Sequence, residues 1–289
     1  MTHFESRSGF VSVVGRPNVG KSTLVNALVG HKVAITSARP QTTRNTIRGV
    51  LTLLEANAQI VLVDTPGIHK PRTALGERLN TLVYGSLAEA DAALFVIDAT
   101  QPIGPGDRRI AERLKEASVP VVLAVNKVDI ADKQSILVQL TEASGFDFEA
   151  YVPISATKHD GTNLIVDELL ALLPPGPFFF PEDARSDQPD SFLAGEIVRE
   201  KYLARLREEL PHSLAVVVDE METDDKGLLR IKVTAYVERD SQKGMAIGKG
   251  GSMIKAVGTD ARSDLEHLFG TKVFLEIRVK VEKDWQRSD

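Results

Sequence analysis

The sequence has no cysteine among its 289 residues. A chain without thiols forms no disulfide, no thiolate zinc site and no iron–sulfur cluster, and it has no cysteine nucleophile. Its six histidines are scattered, and none form the zinc-binding pattern HExxH. No apolar run reaches the roughly 18 residues of a membrane-spanning helix, and residues 1–10 lack the apolar core of a signal peptide. These absences lead us to expect a cytoplasmic protein.

The length and the charge of the chain set the next limits. At roughly 100–200 residues per domain, the length predicts two domains. Hydrophobic residues make up 43% and charged residues 26%, which is typical of a soluble globular protein. The net charge of −5, taken over the whole chain, argues against a nucleic-acid-binding protein.

Short apolar runs alternate with helix-like stretches in the first part of the chain. Strands that are buried on both faces and separated by helices form a parallel sheet between layers of helices. Within 47–64 two runs follow each other closely, which predicts a hairpin and therefore one antiparallel edge strand. The predicted fold is an α/β domain with a mostly parallel sheet, and its apolar runs are 10–15, 59–64, 92–98, 119–126 and 151–155.

A proline-rich segment interrupts this pattern. Residues 174–190 contain five prolines in 17 positions and show no periodicity, as is typical of a linker. We therefore predict a first domain over 1–177, a linker over 178–194 and a second domain over 195–289. Three consecutive phenylalanines at 178–180 could contact a membrane, but we favour packing against a neighbouring domain.

The second domain begins with a helical stripe and continues mainly with strands. Its predicted order is helix, strand, strand, glycine-rich loop, helix, strand, which indicates an α+β fold. The corresponding segments are 195–210, 213–221, 228–239, 245–258, 261–270 and 273–281.

Residues 15–22, GRPNVGKS, match the phosphate-binding pattern G-x-x-x-x-G-K-[ST]. Glycines let backbone N–H groups surround phosphates, and a helix that starts at the loop directs its positive end at them. Lys21 is expected to reach the β- and γ-phosphates, and the Ser22 hydroxyl to bind Mg²⁺. The alternative is a chance glycine turn. The predicted strand before the motif and the predicted helix after it argue against that alternative. The predicted nucleotide-binding residues are Gly15, Arg16, Pro17, Asn18, Val19, Gly20, Lys21, Ser22 and Thr23.

The motif NKVD at 126–129 follows a predicted strand and favours guanine. The Asp129 carboxylate can accept hydrogen bonds from N1–H and the exocyclic amine of guanine, a pair that adenine lacks. Asn126 can join loops and face the base, and the stem of Lys127 can lie along the ring. A turn that only closes the strand is the alternative. A further loop after the last strand can offer the Ala156 N–H to the guanine O6, and its residues are Ser155, Ala156 and Thr157.

Two further segments are expected to respond to the nucleotide. DTPG at 64–67 places Asp64 to hold Mg²⁺ through water and Gly67 to bring its backbone to the γ-phosphate, with Thr65 and Pro66 between them. In the polar segment 40–44, Thr42 or Thr43 could complete the Mg²⁺ shell on spacing alone. A loop that γ-phosphate orders and hydrolysis releases is a known switch design.

The motifs GRPNVGKS, QTTR, DTPG, NKVD and SAT, in this order, resemble the translation-factor-related GTPases. They are most similar to the branch that contains the Era family, the tRNA-modifying GTPases and the double-GTPase ribosome assembly factors. The resemblance implies that Thr43 binds Mg²⁺ and that K⁺ binds near Asn18. Ile68 stands where Ras-type enzymes have the glutamine that orients water, so we expect slow hydrolysis. We place Lys21, Thr43 and Gly67 at the catalytic centre.

Residues 248–251, GKGG, fit the G-x-x-G loop of KH domains, which lets a single RNA strand approach the backbone. The motif alone is weak, and an ordinary turn at a helix start is the alternative. Its position after one helix and two strands favours a KH-like domain. The predicted RNA-binding residues are Lys243, Ile247, Gly248, Lys249, Gly250, Gly251 and Lys255.

Charge by region supports this interpretation. Segment 182–225 has 5 basic and 13 acidic residues, net −8, whereas 226–262 has 8 basic and 3 acidic residues, net +5. A local basic patch can attract phosphates on an acidic protein. A solvated strand face is the alternative.

One GTPase domain followed by a KH-like domain resembles the Era family from residue 9 to about residue 285. The resemblance implies GTP/GDP and Mg²⁺ as cofactors, binding near the 3′ end of small-subunit ribosomal RNA, and assembly of the small ribosomal subunit. It also implies peripheral association with the inner membrane, and we expect a monomer. The tail at 286–289 is shorter than expected for the family.

Other classes of protein fit less well. A tRNA-modifying GTPase would end in a cysteine motif, a double-GTPase factor would have a second GKS motif, and a membrane-remodelling GTPase would need long helices. The sequence has none of these. A GTP-dependent scaffold that does not bind RNA stays open.

Overall fold

Buried apolar residues form two compact units, and the chain passes from one unit to the other after Asp187. The structure is a computed structural model, and it describes residues 6–37, 42–67, 81, 83, 85–206 and 214–283. Among these residues, no helix combines the length and the apolar character needed to cross a membrane.

Six strands occur among the described residues of the first unit, β1 (Arg7–Gly15), β2 (Ile47–Leu53), β3 (Ala58–Asp64), β4 (Ala92–Asp98), β5 (Val121–Asn126) and β6 (Ala150–Ile154). Their order in the sheet is β2-β3-β1-β4-β5-β6. All neighbours pair in parallel except β2, which pairs antiparallel with β3. The predicted mostly parallel sheet with one antiparallel edge strand is therefore confirmed.

Helices cover both faces of this sheet. They are α1 (Lys21–Val29), α2 (Pro105–Ala117), α3 (Lys133–Ala143) and α4 (Thr162–Leu172). Every residue of β4 is buried, because alternate side chains enter cores on opposite faces. Leu94 and Val96 pack with α1 and α4, whereas Phe95 and Ile97 pack with α2 and α3. This double burial explains why the strands appear in the sequence as continuous apolar runs.

The described residues of the second unit form a three-stranded sheet and three helices, β7 (Ala215–Thr223), β8 (Leu229–Val237), β9 (Val273–Val281), α5 (Asp190–Arg205), α6 (Asp240–Ile247) and α7 (Ser252–Phe269). The strand β8 lies between β7, with which it is antiparallel, and β9, with which it is parallel. The strand β9 coincides with the predicted 273–281. The predicted helix 195–210 begins earlier, at Asp190, and its last four positions lie outside the described residues.

The helix α6 is absent from the predicted order, and α7 begins nine residues before the predicted helix 261–270. Among its eight residues only Ala246 is buried, so α6 has no apolar stripe for sequence analysis to detect. The side chain of Gln242 accepts hydrogen bonds from the N–H groups of Glu238 and Arg239 and so closes the first turn of α6.

The proline-rich segment lies against the first unit up to Asp187, whereas its composition predicts a linker over 178–194. Phe179 packs on Phe10 with the ring centroids 4.7 Å apart, so this phenylalanine contacts the preceding domain. The buried Gln59 accepts hydrogen bonds from the N–H groups of Phe179 and Phe180 at 2.9 and 3.0 Å. Composition alone cannot reveal such contacts, because they depend on a single glutamine more than a hundred residues away.

Candidate functional site

The phosphate-binding motif spans the end of β1 and the start of α1, as its pattern requires. Lys21 is buried, and its ammonium donates to the carbonyl oxygens of Gly15 at 3.2 Å and Arg16 at 3.0 Å. Burial lowers the pKa of Lys21 to about 8, against the opposing effect of the Asp64 carboxylate. A phosphate beside this ammonium would stabilise its charged form, so the loop is suited to an anionic ligand.

Three oxygen-bearing side chains meet behind the loop. The Ser22 hydroxyl lies 3.0 Å from the Thr43 hydroxyl and donates to Asp64 Oδ2 at 2.7 Å, and Thr43 Oγ1 lies 3.5 Å from the same Oδ2. The structure thus brings together the three residues predicted to bind Mg²⁺. It places the hydroxyl of Thr43 in this group, the threonine that the resemblance implied and that spacing alone left open.

The chemistry of this group suits a hard cation. Asp64 is fully buried, and its Oδ1 has no hydrogen-bond partner among the described residues. Burial raises the pKa of Asp64, although the Ser22 hydroxyl and the Lys21 ammonium act in the opposite direction. Hydroxyl and carboxylate oxygens are the ligands that Mg²⁺ prefers. The residues present therefore fit a magnesium ion, since an ion would compensate the buried carboxylate.

The segment after Asp64 lies against the phosphate loop. The buried Thr65 donates its hydroxyl to the carbonyl of Val13 at 2.7 Å. A Cβ on Gly67 would lie 2.7 Å from the backbone nitrogen of Pro17, so only glycine fits this approach. Pro66 is buried between them. Positions 40 and 41 of the predicted switch segment lie outside the described residues, and so does Ile68, which stands in place of the water-orienting glutamine.

Asn126 connects the base-reading loops to the phosphate loop. Its Nδ2 donates to the carbonyl of Val19 at 2.9 Å, and its Oδ1 accepts from the N–H of Ala156 at 3.0 Å. The Ala156 N–H, predicted to face guanine O6, thus bonds to Asn126 in this structure. Asp129 is exposed and accepts a hydrogen bond from the Ser155 hydroxyl at 2.8 Å, which orients the carboxylate expected to read guanine.

Four other motif residues lie at the edges of the site. Asn18 and Thr157 are exposed, and Thr23 is half-buried in α1. The guanidinium of Arg16 donates to the Asp107 carboxylate at 2.9 Å, so this side chain connects the phosphate loop to the first turn of α2.

Sequence analysis missed Asp98 and Asp107 as partners of motif residues. The ammonium of Lys127 donates to Asp98 Oδ2 at 2.6 Å and to the carbonyl of Asn18 at 2.8 Å. Asp98 ends the predicted strand 92–98, and ligands bind at the carboxyl ends of parallel strands. That position was the signal in the sequence that could have identified Asp98.

The GKGG loop of the second unit joins α6 to α7 through a single tight turn, Lys249–Gly251. Gly248 has a φ of 75°, and a Cβ there would lie 2.7 Å from the nitrogen of Met253. Lys249 and Gly250 are exposed at the tip, and Ile247 packs against the core. The loop therefore presents bare backbone and one ammonium to solvent, beside the half-buried Gly251 and Lys243.

A groove of about 340 Å³ lies between α7 and β9. The residues that line it include Lys255, which was predicted to bind RNA, and also Thr259, Arg262 and Phe274, which were not. Arg262 belongs to the segment with net charge +5, but only the structure shows which of those basic residues share a groove. Two cations and an aromatic ring are the groups that bind phosphates and stack on bases.

Metal-binding clusters of three or more histidine, cysteine, aspartate or glutamate residues do not occur in the described part of the chain. The Ser22, Thr43 and Asp64 group is different in kind, because it has one carboxylate and two hydroxyls.

Each of the two units matches a known protein family. Residues 10–127 match the family model described as 50S ribosome-binding GTPase, and residues 209–286 match the KH domain model. GTPase Era of Ruminiclostridium cellulolyticum is 48% identical over 284 residues, which cover 98% of this chain and 95% of that protein.

Solved structures agree over the same length. The crystal structure of Era in complex with MgGDPNP and nucleotides 1506–1542 of 16S ribosomal RNA has a TM-score of 0.91 and 40% identity, covering 98% of this chain and 96% of that chain. A variant of Aquifex aeolicus Era bound to GDP and aluminium fluoride has the same TM-score and coverage at 41% identity. The chain therefore belongs to the Era family of GTPases.

Proposed function

We propose that this protein is a GTP-hydrolysing switch that binds the 3′ end of small-subunit ribosomal RNA through its KH domain and acts in assembly of the small ribosomal subunit. The observation that carries the proposal is the meeting of Lys21, Ser22, Thr43 and Asp64 in one unit, on a chain whose other unit carries the GKGG loop. A relative that is 40% identical was solved with a magnesium–GTP analogue and 16S ribosomal RNA.

The chain's own residues supply positioning and charge for GTP hydrolysis. Lys21 places a positive charge in the phosphate loop, and Gly67 brings its backbone against the same loop at Pro17. Ser22, Thr43 and Asp64 would hold Mg²⁺, which when bound neutralises charge that develops on the β- and γ-phosphates. Catalysis then depends on preorganised charges and donors.

Thr43 is the residue that senses the nucleotide in this proposal. It lies between α1 and β2, and its hydroxyl reaches Ser22 and Asp64. A γ-phosphate and its metal would retain the segment around Thr43, and hydrolysis would remove that attraction.

The RNA site combines the GKGG turn with the groove between α7 and β9. The exposed backbone at Gly250 allows a strand to approach closely, and Lys249 and Lys255 supply positive charge for its phosphates. Phe274 is 47% exposed, and the Arg230 guanidinium already lies over its ring at 5.4 Å from the ring centroid, so a base that stacks here would share the ring with that cation. The acidic segment 182–225 would limit indiscriminate RNA binding.

Two further properties in this proposal come from the resemblance alone. They are a monomeric state, which sedimentation would measure, and peripheral membrane association, which co-sedimentation with anionic vesicles would measure.

The first prediction concerns Lys21. Lys21→Ala is expected to reduce GTP turnover by at least about 100-fold, because the loop loses the buried ammonium that is expected to contact the phosphates. Lys133→Ala, which removes an exposed lysine at the start of α3, is the control and should retain turnover. Phosphate release measures turnover, and circular dichroism checks the fold. Normal turnover in a folded Lys21→Ala variant would remove Lys21 from the site.

The second prediction concerns a monovalent cation. We propose that K⁺ binds near the exposed Asn18, which follows the pattern of potassium-dependent relatives. GTP turnover is then expected to rise when K⁺ replaces Na⁺ at constant ionic strength, and Asn18→Ala should abolish the difference. Equal rates of the unmodified protein in the two salts would exclude Asn18 from catalysis.

The third prediction separates an RNA-binding protein from the scaffold that does not bind RNA. Gly248→Asp combined with Lys249→Asp should abolish binding to an oligonucleotide with the sequence of the ribosomal RNA 3′ end, since the turn gains a side chain at position 248 and exchanges a positive charge for two negative ones. The matched control is Lys226→Asp combined with Gly227→Asp, in the turn between β7 and β8. Fluorescence anisotropy measures both. Undiminished affinity in the first variant would favour the scaffold.

A further inference from the structure

Asp98 is a buried carboxylate at the carboxyl edge of the first sheet. It is the last residue of β4 and pairs in register with Asn126 at the end of β5, with only 4% of its surface exposed. Its two oxygens have different partners. Oδ1 accepts from the N–H of Thr100 at 2.9 Å and from the Thr100 hydroxyl at 2.6 Å, whereas Oδ2 accepts from the Lys127 ammonium at 2.6 Å.

The Lys127 ammonium also reaches the phosphate loop. It donates to the carbonyl of Asn18 at 2.8 Å, so one cation joins the end of β4 to the loop expected to surround the phosphates. Both Lys127 and Asn18 have left-handed backbone conformations, with φ of 72° and 65°. Residues other than glycine rarely adopt such backbone conformations unless surrounding contacts impose them. The contact between these two residues is one such restraint.

Asp98 is itself held firmly and charged. Burial acts to raise the pKa of Asp98, but the hydrogen bonds from Lys127 and Thr100 outweigh it and lower the pKa below its usual value. The buried Gln139 donates to the backbone carbonyls of Asp98 at 3.1 Å and Ala99 at 3.0 Å. A charged group on a fixed backbone can orient a flexible partner such as a lysine.

We propose that Asp98 is a positioning residue for guanine nucleotides. Its Oδ2 holds the Lys127 ammonium, so that the stem of Lys127 is fixed where the base is expected to lie and the Asn18 carbonyl is fixed in the phosphate loop. The inference rests on the proposed function, since it concerns the same nucleotide site. These contacts do not involve Thr43 or Asp64, and the effect of Asp98 should therefore be the same for GDP and for GTP.

Asp98→Asn tests the two carboxylate oxygens of Asp98 separately, because it changes the partners of only one of them. The asparagine Oδ1 can still accept both hydrogen bonds from Thr100, whereas its NH₂ group cannot accept from the Lys127 ammonium. Thr100→Val is the matched control, because it removes the hydroxyl bond to Oδ1 and leaves the contact with Lys127. Asp98→Glu is the conservative variant, since Lys127 is 30% exposed and has room to follow a longer carboxylate.

The experiment titrates the full-length protein with a fluorescent GDP analogue and measures the kinetics of GTP hydrolysis. Loss of a charge-assisted hydrogen bond predicts that Asp98→Asn raises the Kd for GDP by about ten-fold or more. The KM for GTP should rise by a similar factor while kcat changes by less than about two-fold. This is the result expected when the lost interaction stabilises bound GTP and the transition state equally. Thr100→Val should stay within about two-fold of the unmodified protein, and Asp98→Glu should recover most of the affinity. Circular dichroism confirms that each variant is folded.

Other results would contradict the inference. An Asp98→Asn variant that binds GDP as the unmodified protein does would show that the carboxylate does not orient Lys127. Equal losses in Thr100→Val and Asp98→Asn would show that Asp98 only closes the turn. A fall in kcat without a change in KM would place its effect on hydrolysis instead of on binding. If the unmodified protein failed to bind GDP, the proposed function itself would fail, which is a separate outcome.

Discussion

The parallel register of the first sheet is the constraint on which the nucleotide site depends. Val13 pairs with Asp64, and Asp98 pairs with Asn126, so the carboxyl ends of β1, β3, β4 and β5 meet at one edge. Residues from four separate parts of the chain thus come within hydrogen-bond distance of one another. The burial of alternate side chains on both faces fixes this register, because a shift of one residue would exchange the two faces. Burying each large apolar side chain contributes about 1.5–3 kcal/mol.

The site formed at that edge is not optimised for stability. Lys21 and Asp64 are buried charged groups. Burial lowers the pKa of Lys21 and raises the pKa of Asp64, which in each case favours the neutral form. Such groups destabilise a folded protein unless they are paired or coordinate a ligand. Phosphates and a divalent cation carry the complementary charges. Burial therefore destabilises the protein when the site is empty and favours binding of a magnesium–nucleotide. This explains how a site with one carboxylate can select this ligand.

Local sequence patterns predicted much of this arrangement, and the reason differs from residue to residue. The strand 92–98 and the strand 273–281 have the predicted bounds, because burial leaves a direct trace in the order of apolar residues. The glycine loops are recognisable because only certain residue types permit their backbone. Spacing could not distinguish Thr43 from Thr42, since the choice depends on which hydroxyl reaches Ser22 and Asp64 in space.

The features that sequence analysis missed are those formed by long-range contacts. The position of Asp98 at the carboxyl end of a strand is a signal in the sequence, but its partner Lys127 lies 29 residues away and only the structure shows their contact. The helix α6 has a single buried residue, and the segment up to Asp187 is held by Gln59, so neither produces a periodic pattern. Whole-chain charge was misleading for a related reason, because averaging conceals the basic residues that share the groove at α7.

If the protein is the proposed GTP-hydrolysing switch, the nucleotide state of its GTPase unit should change RNA binding by its KH unit. The direct measurement is the affinity for the ribosomal RNA 3′-end oligonucleotide with saturating GDP and with saturating non-hydrolysable GTP analogue. We expect the two affinities to differ by about five-fold or more, the usual size of an allosteric coupling, and we expect Thr43→Ala to lose this difference. Equal RNA affinity in the two nucleotide states of the unmodified protein would contradict it.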